Sequence, residues 1–308
     1  MRSTLSAQRS FYTPLVALLL APILLAVTSH AADPVTVPKD WTDTLAWRAI
    51  GPANMSGRIT DFAVFEQDPN TWWVATASGG LLKTENNGIT FTHQFDHEAT
   101  VSLGAIAVAR SDRNIVWVGT GECNPRNSVS WGDGVYKSTD GGATWQNMGL
   151  KESFQIGGLV IHPENPDIVY VGALGRLWGP NPQRGVFRTK DGGKTWEHLL
   201  FVDAETGVID IQMKPDDPNV LLAATYERQR DGYDSNDPAK KWGPGGSLYK
   251  STDGGDTWRK ITAGLPTANL GRMGLDFYRK DPNIAYLVLE SERIGQEPKD
   301  APFVGMNG

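Results

Sequence analysis

Ser138-Thr-Asp-Gly-Gly-Ala-Thr-Trp145 is written almost unchanged three more times in this chain. The others are Thr84-Glu-Asn-Asn-Gly-Ile-Thr-Phe91, Thr189-Lys-Asp-Gly-Gly-Lys-Thr-Trp196 and Ser251-Thr-Asp-Gly-Gly-Asp-Thr-Trp258. The third positions, Asn86, Asp140, Asp191 and Asp253, are separated by 54, 51 and 62 residues. One hairpin signal per period of this length indicates a ring or stack of small sheets, each needing a neighbour to bury its apolar face.

Each period reads alike on either side of the box. An apolar strand opens it, as in Gly57–Val64, Leu103–Val108, Ile156–Ile161, Gly207–Gln212 and Met273–Phe277. A turn follows at Asp68, Asp112, Asn165, Asp217 and Asp281, where Asp or Asn bonds its own backbone and a neighbouring Pro often presets φ. A second strand and a short third strand lead into the box, and a fourth strand starts at Phe91, Trp145, Trp196 or Trp258. Four antiparallel strands per repeat predict an all-β propeller blade. Small residues on the first strands (Gly104, Ala105, Gly157, Gly158) suit strands that converge on an axis. Inside the box, the glycine after the acid permits φ > 0, the acid can accept backbone N–H groups, and the Trp or Phe packs into the blade. Nothing in that chemistry needs a substrate, so Asn86, Asp140, Asp191, Asp253, Trp145, Trp196 and Trp258 read as structural.

Residues 1–31 read as a secretory signal. Arg2 and Arg9 precede a 13-residue apolar run from Leu15 to Val27, too short to span a membrane, and Ser29-His-Ala31 offers small residues for cleavage. Residues 32–44 read as a linker, and 45–308 as the propeller. Export to a periplasm or the outside is expected, with no integral membrane segment after cleavage. The whole chain has a formal net charge of −6, and removal of the signal's two arginines makes it more acidic. That excludes an electrostatic case for nucleic acid. A single cysteine, Cys123, excludes an internal disulfide framework. Thr257-Trp-Arg-Lys-Ile261 is echoed at Ala46-Trp-Arg-Ala-Ile50, which reads as an orphan fourth strand. The fifth repeat shows two strands and then stops. The chain is therefore expected to be a truncated ring of four blades and a partial fifth, and nothing in the repeat specifies an oligomeric state.

Ser/Thr-x-Asp-x-Gly-x-Thr-Trp resembles the Asp-box, or bacterial neuraminidase repeat, of sialidases, sortilin-type receptor domains and some xyloglucanases. Trp47-Arg-Ala-Ile-Gly-Pro-Ala-Asn-Met-Ser-Gly-Arg-Ile59, Gly119-Thr-Gly-Glu122 and Trp131-Gly-Asp-Gly-Val-Tyr-Lys137 look like the N-terminal part of bacterial sortilin-like proteins labelled glycosyl hydrolases. The resemblance spans roughly Trp41 to Gly308. It implies a propeller of more blades than this chain holds, and a binding or hydrolytic role. A sialidase would need an arginine triad and usually an Arg-Ile-Pro; Gly57-Arg58-Ile59-Thr60 lacks the proline, and only Arg272 offers a companion.

Two carboxylates occupy equivalent places on first strands, Asp61 in the first repeat and Asp210 in the fourth, where Ala105 and Gly158 stand in the second and third. Acids lining one channel could be a glycosidase's general acid and base, or could simply bond water and backbone. Glu122 and Asp133 are lesser candidates of the same kind. The loops between second and third strands are long in repeats two to four (120–134, 173–185 and 225–246), and each holds Trp-Gly: Trp131, Trp178 and Trp242. They also hold Arg126, Arg176 and Arg184, Arg228 and Arg230. With Arg58, these tryptophans and Arg126, Arg176 and Arg228 are expected to form a ligand-binding rim for a peptide, a protein or a glycan. Alternatively, each Trp plugs its own loop onto the blade top. No metal or other cofactor is expected: the five histidines lack ligand spacing, and Gly119-Thr-Gly-Glu122 is no phosphate loop. Ligand binding is thus the leading expectation, with a glycoside hydrolase or a purely structural module as alternatives.

Overall fold

The computed structural model describes residues 57–125, 129–229 and 240–293, together with Pro38. The signal, the linker, the orphan strand at 46–50 and Arg126 fall outside the described residues. Apart from Pro38, what is described lies within one compact unit, 52–308. The first sheet holds β1 (Ile59–Val64), β2 (Trp72–Thr76), β3 (Leu81–Thr84) and β4 (Thr92–His93). The second holds β5 (Leu103–Ala109), β6 (Asp112–Thr120), β7 (Val135–Ser138) and β8 (Gln146–Asn147). The third holds β9 (Ile156–Ile161), β10 (Val169–Ala173), β11 (Gly185–Thr189) and β12 (Glu197–Leu200), and the fourth β13 (Thr206–Lys214), β14 (Asp217–Glu227), β15 (Ser247–Ser251) and β16 (Arg259–Ile261). A fifth holds β17 (Leu270–Phe277) and β18 (Ala285–Ser291). Every sheet is an antiparallel meander in chain order, so the fold is an all-β propeller of four blades and a partial fifth. Among the described residues, no helix is long and apolar enough to cross a membrane.

The core lies between blades. Trp73, Leu81 and Phe95 of the first blade pack with Leu103, Ile106, Val118 and Tyr136 of the second. Similar clusters join blades two and three, three and four, and four and five. Trp73 and Trp117 are fully buried. At about 25 cal/mol per Å² and roughly 200 Å² of ring surface, each contributes on the order of 5 kcal/mol before entropy is counted.

The first strands run side by side along the inside, β1 against β5, β5 against β9, β9 against β13 and β13 against β17. Their approach depends on missing side chains: a Cβ on Gly104 would lie 2.2 Å from the Ile156 carbonyl oxygen. The first four of these strands carry a register irregularity at the same place, between Ile59 and Asp61, Leu103 and Ala105, Ile156 and Gly158, and Val208 and Asp210. Such a bulge re-aims the side chain that follows it, and in two blades that side chain is an aspartate.

Candidate functional site

The four boxes are closed by their own side chains. Asp140 accepts the Thr144 amide at 2.9 Å and the Thr144 hydroxyl at 2.6 Å, and Ser138 donates to it at 2.8 Å. Asp191 and Asp253 repeat this pattern. Asn86 accepts the Thr90 amide in the same way, while its own amide donates to the Thr90 hydroxyl at 2.9 Å. The tryptophans reach further than their own blade. Trp145 Nε1 donates to the Gln94 carbonyl in blade one, and Trp196 Nε1 to the Met148 carbonyl in blade two, each at 2.7 Å. Hydrogen bonds from the threonine hydroxyl and amide hold Asp140, Asp191 and Asp253 down at about 2. A depressed acid contributes stability above its unfolded value and loses it as pH falls toward the folded one. The stability advantage of the native protein over an Asp140→Asn variant should therefore shrink between about pH 4 and pH 2, as melting temperatures across that range will read; an advantage constant down to pH 2 would contradict the titration.

The two first-strand aspartates share one cavity. Its volume is 850 Å³, and Asp61, Asp210, Arg272, Arg279, Glu290 and Cys123 help to line it. Asp61 accepts the amide of Phe62 at 2.8 Å and, across the blade boundary, that of Ile106 at 2.9 Å. Asp210 accepts the amide of Leu275 in the fifth blade at 2.7 Å and the Gln212 side chain at 3.0 Å. Ile106 and Leu275 hold equivalent positions one blade on, so each aspartate ties adjacent inner strands. Burial pushes Asp61 up to about 6, against the pull of its two backbone donors, and the charge of Asp210 adds to the rise. Burial likewise raises Asp210.

A second polar chain reaches this cavity through Arg272. Arg58 Nε and Nη2 grip both oxygens of Glu122 at 2.7 and 2.5 Å, and the Glu122 side chain is only 1% exposed. Asn124 donates to Glu122 at 3.0 Å and accepts from Arg272 Nη1 at 2.8 Å. The loop 121–125 thereby ties blades one, two and five. Arg58, expected on a ligand-binding rim, has both of those nitrogens committed to Glu122, and Arg272 is committed to Asn124 rather than joining Arg58 in an anion clamp.

The long loops divide in the same manner. Arg228 is 1% exposed, bonding the Cys123 carbonyl at 3.0 Å and the Gln155 side chain. This corrects its placement on the rim: the guanidinium binds loop backbone inside the fold. Desolvation lowers it to about 10. Arg184 is buried in the same style against the carbonyls of Leu174, Arg176 and Gly179. Trp178 and Trp242 are half-buried, whereas Trp131 is 54% exposed. The Trp131 ring packs edge-on against Phe154 at 5.5 Å, and the Arg176 guanidinium lies 4.6 Å from the same Phe154 ring. Phe154 escaped the sequence reading; its φ of 57°, unusual for an aromatic residue, has no signature in residue types. Burial also raises the Cys123 thiol. Among the described residues, no group of three or more His, Cys, Asp or Glu side chains could hold a metal ion.

A family model for Sortilin, neurotensin receptor 3 (Sortilin-Vps10) matches residues 133–302. A xyloglucanase of Paenibacillus sp. is 26% identical over 274 residues, covering 82% of this chain and 26% of the relative. A probable oligoxyloglucan-reducing end-specific xyloglucanase of Neosartorya fischeri is 22% identical over 253 residues, 68% of this chain and 28% of the relative. The chain thus spans about a quarter of the length of these curated relatives. The crystal structure of the GH74 xyloglucanase from Xanthomonas campestris shares the fold, with a TM-score of 0.56 at 18% identity over 76% of this chain and 35% of that one.

Proposed function

The chain belongs to the Sortilin-Vps10 family, and we propose that it forms the propeller part of a glycoside hydrolase acting on a polysaccharide of the xyloglucan class. The observation behind this reading is the pair Asp61 and Asp210, set at equivalent bulges and facing one cavity. A carboxylic acid pushed up to about 6 by burial, with a second carboxylate lining the same cavity, is the kind of pairing glycosidases use. Asp61 would protonate the leaving glycosidic oxygen, and Asp210 would take the proton of the attacking water. The names of the curated relatives supply the substrate class, in place of the peptide or protein ligand that the tryptophan and arginine loops suggest equally well. An export signal at 1–31 fits a polymer substrate that lies outside the cytoplasm. Trp178, Trp242 and Arg126 belong to the loop set that would hold the glycan.

Asp61→Asn removes the acid while its amide oxygen can still accept the Ile106 N–H, at the loss of the acceptor for the Phe62 N–H, so any gain in stability is net of that bond. Cleavage of xyloglucan by the full-length protein should fall about 10²–10⁴-fold in Asp61→Asn and in Asp210→Asn. Stability should move the other way. An acid with a raised folded value loses stability as pH climbs from about 4 through 6, so removing the charge should raise the neutral-pH melting temperature, by at most about 3 kcal/mol of stability, with no gain at pH 4. Unchanged cleavage in both variants sinks the assignment of these two acids, and absence of cleavage by the native protein sinks the hydrolase reading. A second reading, glycan capture without cleavage, is favoured by one observation: both acids already accept backbone donors from the next blade.

A further inference from the structure

We propose that Trp131, Phe154 and Arg176 form a separate binding platform for a pyranose ring of a β-linked glycan. The choice of a sugar rests on the glycan reading above, while the platform itself rests on its geometry. A lone exposed aromatic is unremarkable on a soluble surface; Trp131 differs because its backbone is fixed while its ring is not covered. The Trp131 carbonyl accepts the Thr100 hydroxyl at 3.0 Å, the Ser130 carbonyl accepts the Ser102 hydroxyl at 3.1 Å, and the Gly132 amide donates to the Phe154 carbonyl at 2.8 Å. The indole is therefore presented in one place with 54% of the residue open to solvent.

Phe154 completes the platform at a cost. A positive φ is strained in a residue with a Cβ, and Phe154 takes it (φ 57°, ψ −43°) at the end of a short 3₁₀ turn, Lys151–Ser153, that starts from Leu150, itself left-handed. Strain of this kind persists where surrounding contacts over-determine the backbone, and it gathers at ligand-holding sites. Here it sets the Phe154 ring between the indole and the Arg176 guanidinium. Ser153 Oγ, Gln155 Nε2 and Arg176 Nε are buried beside it without a hydrogen-bond partner. Buried polar atoms are normally satisfied, and these three mark the segment as unfinished.

The chemistry favours a sugar. An indole face receives the C–H face of a pyranose through dispersion, and a guanidinium beside it donates to ring hydroxyls. A fixed platform loses little entropy on binding.

The test is isothermal titration of the full-length protein with a xylosylated cello-oligosaccharide, with iodide quenching of tryptophan fluorescence alongside. Trp131→Ala should weaken binding about tenfold or more, and Arg176→Gln roughly three- to tenfold. The sugar should shield one tryptophan fewer from iodide in Trp131→Ala than in the native protein. Because the ring is largely exposed, that variant should unfold at the native urea midpoint. Binding within twofold of native in Trp131→Ala, absence of sugar binding by the native protein, or preference for an unrelated peptide over the sugar would each overturn the platform. If the native protein does not cleave xyloglucan while Trp131-dependent binding persists, the hydrolase reading fails and the platform stands. Cleavage retained without Trp131-dependent binding gives the reverse.

Discussion

Arg58→Ala should destabilise the protein by about 3–5 kcal/mol, a large fraction of the 5–15 kcal/mol that holds a typical domain together. The two ends of the Arg58–Glu122 pair are not equivalent. Arg58 is 36% exposed and can turn to water, whereas Glu122 is 1% exposed and cannot. Deleting the arginine leaves a buried carboxylate with only Asn124 and no counter-charge. Replacing both partners with apolar groups, as in Arg58→Met with Glu122→Met, should recover at least half of that loss, because the charge whose desolvation was uncompensated is gone. Urea midpoints with unchanged slopes would read the effect. If Arg58→Ala stays within about 1 kcal/mol of native, the pair behaves as an ordinary solvated one, and the bridge between blades one and two is not set by charge.

The boxes and the strands around them were legible because their information is local. Gly141 and Gly142 take positive φ within a turn whose Asp and Thr are neighbours in sequence, so residue types and spacing suffice. The reach of Trp145 to the Gln94 carbonyl was not legible, since it depends on how one blade stacks on the previous one, 51 residues away. The same holds for Asp61. Its equivalence to Asp210 follows from counting, but its bond to Ile106 requires knowing that β5 runs beside β1. The burial of Arg184 and Arg228 was not legible for a general reason. Long loops are expected at the surface, yet the carbonyls of Cys123, Leu174, Arg176 and Gly179 take their donors from buried arginines. Arg228 and Arg184 supply those donors, a task that a surface expectation does not anticipate.

Gly121→Ala should remove the loop face in one step. Gly121 sits at φ 84°, and a Cβ there would lie 1.9 Å from the Phe154 carbonyl oxygen and 2.8 Å from the Gly132 amide nitrogen. Both neighbours are backbone, so no rotamer can relieve the contact. The left-handed conformation costs about 1–2 kcal/mol for any residue with a Cβ, and overpacking of this sort adds about 1–3 kcal/mol. A loss of about 2–5 kcal/mol is expected, and relief must come from moving Phe154 or Gly132. Those are the two ends of the hydrogen bond that fixes Trp131 beside the Phe154 ring. The surviving folded protein should therefore show a less ordered Trp131, greater iodide quenching and weaker sugar binding, even where the urea transition remains cooperative. Gly179→Ala is the matched control, because it too has positive φ, 78°, but meets nothing within 4 Å. It should pay only the conformational cost and leave sugar binding unchanged. Should Gly121→Ala bind the oligosaccharide as tightly as Gly179→Ala does, the close approach of 121 to 154 is not what positions the platform, and Trp131 must be held by Thr100 and Ser102 alone.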